Sequence, residues 1–290
     1  MLLLTGATGL IGSAVLQRLT AAGTPVRCLV RDPRRLGADR VRVQLAIGDL
    51  ADPASYRNAL RGVDTVVHLA GTARDDPRGS VEEVDGLAVW RLARAAERAG
   101  VRRLLWAMPL GATPHHPSRV HRAKALAAEA LDGAGVEVTT LACSLVYGPH
   151  DRRMARLDRL ALLPAVPLAG RGRARVQPIW AEDVADCALA ALERPPGRFE
   201  LAGPETLTER EVVARVLRAR GRRRRLLPIP LALLRPVLRA HTTLAGPAAL
   251  MTWEEVVQLA VAMTTARGTE DALALGVEPR AMGEVLGSTS

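Results

Sequence analysis

The stretch that decides the fold is Met1-Leu2-Leu3-Leu4-Thr5-Gly6-Ala7-Thr8-Gly9-Leu10-Ile11-Gly12. Four apolar residues lead into a turn with glycine at positions 6, 9 and 12. Ser13 to Leu19 then carries the apolar spacing of a helix that packs on one face. After the Gly23-Thr24-Pro25 break, a second apolar run follows from Val26 to Val30. Strand, glycine turn, helix and strand make a βαβ unit.

Such a turn has a physical use. A pyrophosphate can approach backbone only where no Cβ intervenes, and it is stabilised by the free N–H groups and positive end of a helix N-terminus. Gly6 allows the tight turn, Gly9 the close approach and Gly12 the packing of helix on strand. The spacing is three and three rather than G-x-G-x-x-G, and a lone glycine triplet is a weak signal. Placed after a strand and before a helix, it becomes strong. Gly6, Thr8, Gly9, Leu10, Ile11 and Gly12 are therefore the expected dinucleotide-binding residues of this turn.

Composition narrows the class. At 290 residues with 48% hydrophobic content, the chain suits one α/β domain with a smaller appended part. Aromatics are 2%, so the core must be Leu, Val and Ala. The start has no basic segment ahead of its short apolar run, and no stretch approaches the ~20 apolar residues of a spanning helix. Cys28, Cys143 and Cys187 sit in apolar surroundings, as buried thiols do in a reducing compartment. The expectation is a soluble, cytoplasmic protein.

The formal net charge is +10, but its distribution is uneven. Between Glu211 and Glu254 there are nine arginines and no acidic residue, so this segment carries nine of the ten net charges. Nucleic-acid grooves pair basic residues with stacking aromatics, and here only Trp253 stands nearby. Nucleic acid is not an expected partner. Of the 40 basic residues a single one, Lys124, is lysine. In so arginine-biased a chain, a retained Lys marks a position where a compact point charge serves and a planar guanidinium does not.

Along the chain, strands are predicted over Val41 to Ile47, Asp64 to Ala70, Arg102 to Ala107 and Val136 to Leu141. Helices are predicted from Asp52 through Leu60, over Val81 to Ala99 with an apolar stripe at Val84, Leu87, Ala88, Leu92 and Ala95, and over Ser118 to Leu131. Strands alternating with helices at this spacing predict a parallel, doubly wound sheet. After Tyr147-Gly148-Pro149 the rhythm changes. A helix near Met154 to Leu162 gives way to a Pro/Gly-rich stretch, Pro164 to Gly172, then to an extended Arg173 to Ile179 and a helix over Ala181 to Leu192. Beyond Pro195 come a strand at Phe199 to Ala202, a helix at Thr208 to Ala219, the stretch Leu226 to Leu238 and a helical region from Thr252. The domain reading is 1–192 for the dinucleotide-binding part, with 150–180 contributing to the smaller unit, and 193–290 for a small C-terminal α/β substrate-side domain.

Thr5 to Gly12 resembles the TGATGxxG signature of the short-chain dehydrogenase/reductase superfamily in its extended and atypical branches. The resemblance implies a Rossmann-type fold binding NAD(P). In such folds an acidic residue about 20 positions beyond the last glycine binds the adenosine ribose, whereas Arg there favours a 2′-phosphate. Here that position is Arg31, with Arg34 and Arg35 close by, and Asp32 is expected to point away. NADP(H) is the preferred cofactor and NAD(H) the second choice. Asp49 and Leu50 match the position where relatives contact adenine. Ala70 and Gly71 match the stretch crossed by the ribose and diphosphate.

The catalytic pattern of the family is broken. Active members carry Tyr four residues before a Lys, both on one helix face. Lys124 fits the Lys, but four residues earlier stands Val120, and Met108-Pro109 occupies the place of the upstream Ser. His121 shares part of the Lys124 face and has a suitable pKa for proton transfer, although a partly exposed helix residue is the simpler reading. Ser144 is placed to touch the nicotinamide amide. Tyr147 matches a structural V-Y-G-P segment, and Asp85 reads as solvated or helix-pairing. No metal is called for.

Leu145 to Asp151 and Gln177 to Ala185 also resemble the group containing the NADPH-binding accessory subunit of respiratory complex I. Asp183 there reads as a helix cap fixing the small domain to the sheet, and Trp180 as a packing residue. Two functions follow from these resemblances. One is an NADP(H)-dependent oxidoreductase or epimerase-like enzyme with Val120 in place of Tyr, acting on a small molecule. The other is a non-catalytic NADP(H)-binding redox sensor, or an accessory or assembly protein of a membrane-associated respiratory complex. The basic segment likewise has two readings: a solvated face, or a peripheral contact through 215–239 with a membrane's inner face or a membrane protein. The chain is expected as monomer or homodimer.

Overall fold

The computed structural model describes residues 1–75, 79–149, 151–246 and 249–288. β1 (Leu2–Thr5) runs into the glycine turn, α1 (Leu10–Ala21) leaves it, and β2 (Val26–Val30) completes the first unit. The chain continues through β3 (Gln44–Ile47), α2 (Pro53–Tyr56), β4 (Thr65–His68), α3 (Ala88–Arg98), β5 (Arg103–Pro109), α4 (Arg119–Leu131) and β6 (Glu137–Cys143). Next come β7 (Val146–Tyr147), α5 (Arg152–Leu160), β8 (Ala165–Ala169), β9 (Arg175–Val176), β10 (Ile179–Trp180), α6 (Ala181–Leu192) and β11 (Arg198–Leu201). The remainder is β12 (Leu207–Thr208), α7 (Glu209–Ala219), β13 (Arg225–Ile229), α8 (Leu231–Ala245), α9 (Trp253–Leu259), α10 (Glu270–Ala274) and α11 (Met282–Ser288).

Seven parallel strands form the central sheet in the order β11-β6-β5-β4-β1-β2-β3. Both faces are covered, so the strands are apolar on both sides. The pleat sorts β1: Leu2 and Leu4 join the core under α1 and α6, while Leu3 joins the core under α3 and α4. Arg18 of α1 ties the first layer together, bonding Glu182 and Asp186 of α6 at 2.5 Å each. A third core gathers Tyr147, Met154, Val166, Trp180, Val213 and Val285, and so joins α5, α7 and α11 into the smaller unit.

The structure corrects several expectations. The third strand begins at Gln44 and not at Val41, because two short 3₁₀ turns, broken at Gly37 (φ 59°), occupy Pro33–Val41, the first started by Asp32 accepting the Arg34 N–H (3.0 Å). The boundary at 193 falls too early. β11 is the edge strand of the central sheet, with Phe199 in register with Leu141, and Ala272 and Leu275 pack into the α1–α6 core. The Pro/Gly-rich stretch holds β8, which pairs in parallel with β13. Leu226 to Leu238 is therefore split into a strand and the start of α8. Pro228 is tolerated because β13 pairs on one side only. Asp183 does not cap α6: its carboxylate accepts the Arg280 N–H (2.9 Å) and guanidinium (2.7 Å), fixing the C-terminal segment to that helix. Trp180 packs on Tyr147, with ring centroids 5.3 Å apart. His150, within one of the quoted segments, lies outside the described residues.

Candidate cofactor site

The sheet changes direction of winding between β1 and β4, and an open parallel sheet presents a binding crevice at such a point. The glycine turn stands there. Gly6 has φ +77°, and a Cβ on it would come within 2.5 Å of the Ala70 nitrogen. A Cβ on Gly12 would stand 2.0 Å from the Gly6 carbonyl oxygen. The Gly6 carbonyl accepts the Gly9 N–H at 2.8 Å, and α1 begins at Leu10 with no side chain capping its first turn. Thr8 and Gly9 are exposed, and Leu10 and Ile11 half-buried. The result is a side-chain-free cradle ending on an uncapped helix N-terminus, which suits a diphosphate.

At the end of β2, Arg31 and Arg35 are exposed and have no carboxylate partner among the described residues. Asp32 is taken up by its cap on the Arg34 N–H. Asp49 accepts the Ala51 N–H at 3.0 Å, so one carboxylate oxygen is spent on the turn leading to α2, and Leu50 packs half-buried against the second core. Ala70 and Gly71 follow β4 beside the turn. Gly71 is small for a reason internal to the protein: a Cβ there would meet Asp85 Oδ1 at 2.8 Å.

Lys124 and Asp85 are both buried and form an ion pair, Nζ to Oδ1, of 3.2 Å. Asp85 Oδ2 also accepts the Thr72 N–H at 3.0 Å, and Lys124 Nζ lies 5.3 Å from the Trp106 ring centroid. Burial pushes the Asp85 carboxyl above its ordinary range, and Lys124 opposes that push. Asp85 is thus neither solvated nor a surface helix partner. It lies in a π-helical stretch, Glu83–Leu87, on the same side as the buried Ala88, Leu92 and Ala96, while Leu87 of the expected apolar stripe is exposed.

Beneath this pair a polar row crosses four strands in register: Thr5, His68, Trp106 and Thr140. Thr5 Oγ1 and His68 Nδ1 are 2.8 Å apart, and Trp106 Nε1 donates to Thr140 Oγ1 at 2.9 Å. Burial first, and Lys124 second, push His68 down to about 3. His68 is therefore neutral at neutral pH. His68 and Trp106 belong to no motif; a polar ring following an apolar pair in each of two strands, β4 and β5, is the sequence signal that marks them.

His121 is buried and not partly exposed. It stacks on His116 with centroids 4.0 Å apart, and burial, then His116, push it down to about 3. Neither of its ring nitrogens has a hydrogen-bond partner among the described residues. Ser144 is also diverted. Its hydroxyl donates to the Met263 carbonyl at 2.6 Å and accepts the Gln177 N–H at 3.0 Å, so it clasps three segments and has no proton left to donate to a nicotinamide amide. Val120 is half-buried, Met108 belongs to the second core and Tyr147 to the third. No hydroxyl stands at either position where the family carries one.

Fold and site together define a dinucleotide-binding Rossmann protein. A family model described as NAD(P)H-binding matches residues 6–195. The (4-alkanoyl-5-oxo-2,5-dihydrofuran-3-yl)methyl phosphate reductase of Streptomyces griseus is 34% identical over 231 residues, covering 77% of this chain and 74% of that protein. The mitochondrial NADH dehydrogenase (ubiquinone) 1 alpha subcomplex subunit 9 of Arabidopsis thaliana is 30% identical over 223 residues. That match covers 71% of this chain, which spans about half (54%) of the relative's length. Among solved structures, the NADPH-dependent quinone oxidoreductase of Escherichia coli superposes with a TM-score of 0.74 at 17% identity, covering 100% of this chain and 99% of that one. The chain belongs to the NAD(P)H-binding family, as an atypical short-chain dehydrogenase/reductase.

Proposed function

We propose that the protein is an NADP(H)-dependent reductase of a small acceptor, with NAD(H) as the weaker cofactor. The observation that carries this reading is the end of β2. Arg31 and Arg35 are exposed and without a carboxylate partner among the described residues, while Asp32 has one oxygen engaged by the Arg34 N–H. A 2′-phosphate would meet guanidinium groups there, in the place where an NAD-binding fold offers a carboxylate to the ribose diol.

Gly6, Thr8, Gly9, Leu10, Ile11 and Gly12 would hold the diphosphate, since the cradle is closed to any Cβ and open to an anion. Asp49 and Leu50 would flank the adenine, and Ala70 and Gly71 would border the ribose. Lys124 supplies a fixed positive charge at the far end, held by Asp85. When bound, the cofactor supplies hydride at its nicotinamide ring. No side chain at Val120, Met108 or Pro109 can deliver a proton, and the neutral His121 is sealed in the stack with His116. The suitable acceptors are those whose reduced form is a stabilised anion able to take its proton from water. Epimerisation, which needs a placed acid or base at the sugar carbon, is supported less. The reductase name of the Streptomyces griseus relative supports the same choice.

The missing proton donors also favour a second reading, a non-catalytic cofactor-binding accessory protein, in line with the name of the Arabidopsis thaliana relative. Turnover separates the two. Oxidation of NADPH is followed with quinones, azo dyes, enones and sugar nucleotides. Substrate-dependent oxidation with one of the first three classes is expected. Tight NADPH binding without turnover across the panel removes the enzyme reading.

A further inference from the structure

We infer that α8, with the arginines that precede it, docks the protein flat on an anionic lipid bilayer. The inference is independent of the cofactor reading. α8 is a 15-residue helix in which no residue is buried. Its inner side is half-buried through Leu231, Leu234 and Leu238, while its outer side shows Leu233 (62% exposed), Val237 (63%) and Leu244 (88%). At about 100° per residue those three side chains fall within roughly 40° of arc, a single aliphatic stripe along the helix. Leu227 on β13 extends the exposed apolar surface towards the helix start.

Along the chain between Glu211 and Glu254 the charge has one sign, and the nearest acidic residues, Glu254 and Glu255, lie on α9. Of the nine arginines between Glu211 and Glu254, two have a carboxylate partner among the described residues: Arg215 on Glu205 at 2.5 Å and Arg220 on Asp158 at 3.3 Å. The others are not neutralised. Arg222 and Arg224 donate to the Ala161 carbonyl, which fixes them at the edge of a cleft of about 370 Å³ shared with Arg218, Arg223 and Arg225. Arg235 lies over the Trp253 ring at 5.7 Å.

An aliphatic stripe on a convex helix offers no pocket for a protein's anchoring side chain, and stacking aromatics for nucleic acid are absent from it. A headgroup layer needs neither. It takes the aliphatic tips at the acyl boundary and the guanidinium groups among the phosphates. No helix among the described residues is long and apolar enough to cross a membrane, so the contact is peripheral.

The test is co-sedimentation of the full chain with vesicles of phosphatidylcholine alone and of phosphatidylcholine mixed with phosphatidylglycerol, at low and high salt. Binding to the mixed vesicles at least ~10-fold tighter than to the neutral ones, weakened by salt, is expected. Leu233→Glu with Val237→Glu, and separately Arg223→Glu with Arg225→Glu, should each abolish it with an unchanged melting temperature. If the first pair disturbs folding, Leu244→Glu at the exposed end must weaken binding alone. No sedimentation with mixed vesicles at low salt, equal binding to neutral ones, or full binding by the Leu233/Val237 variant would overturn the proposal. Retention on immobilised polyglutamate without vesicle binding would instead assign the face to an acidic protein.

Discussion

Lys124 and Asp85 show how much one pair of residues can decide. Each is buried, and each would be a lone charge in the interior without the other. Removing one partner of a buried pair leaves an uncompensated charge, which typically costs about 3–5 kcal/mol. Lys124→Met should therefore lower the urea-unfolding free energy by that order, and Asp85→Asn in the same chain should restore part of it. Strict additivity of the two substitutions would mean that they do not act on each other. Lys124 was legible from composition alone, as the one lysine among 40 basic residues. Its partner was not. At 3.6 residues per turn Asp85 shares the buried face with Ala88, Leu92 and Ala96, but its charge partner lies on another helix, 39 positions away, which no local pattern signals. His121 was hidden for a related reason, since the ring that covers it, His116, comes from the loop before α4.

Elements differ in how much of their placement is written locally. The glycine turn was readable because strand period, glycine positions and helix spacing agree within thirty residues, and the structure places Gly6 and Gly12 where a Cβ would clash. β8 and β13 were not readable. Each is short, and they pair across some sixty positions, so neither run carries a local signal for the other. α8 follows from β13 and is held on one side only. Its backbone should therefore open with far less free energy than the central sheet. Hydrogen exchange monitored by mass spectrometry is expected to show fast exchange over 231–245 and slow exchange over β1, β4 and β5. Protection in α8 equal to that of the sheet would contradict the loose seating described here.

At the scale of the whole molecule, two cores sandwich the sheet and a third holds the smaller unit. A parallel, doubly wound sheet is implied by the alternation of strands and helices, whereas the return of β11 to the sheet edge after residue 193 depends on pairing with β6. Buried neutral histidines leave a signature on overall stability. His68 and His121 are both pushed down to about 3 from an ordinary value of 6.5. Between those values the unfolded chain binds protons that the folded chain does not, so stability rises with pH there and is lost as pH falls through that window. Denaturant unfolding should show a plateau above pH 7 and a steady decline below about 6.5, and His121→Phe should flatten the decline. A profile unchanged by that substitution would mean that the His121 ring is not kept neutral by its burial.

The turn at Gly6–Gly12 and the arginines after β2 are proposed to select NADP(H). Isothermal titration of the protein, and of its Arg31→Asp variant, with NADPH and NADH measures this directly. At least ~10-fold tighter binding of NADPH by the natural chain is predicted from charge-assisted contacts to the 2′-phosphate, with the preference lost or reversed in the variant. Equal affinities for the two cofactors, unchanged by Arg31→Asp, would contradict it.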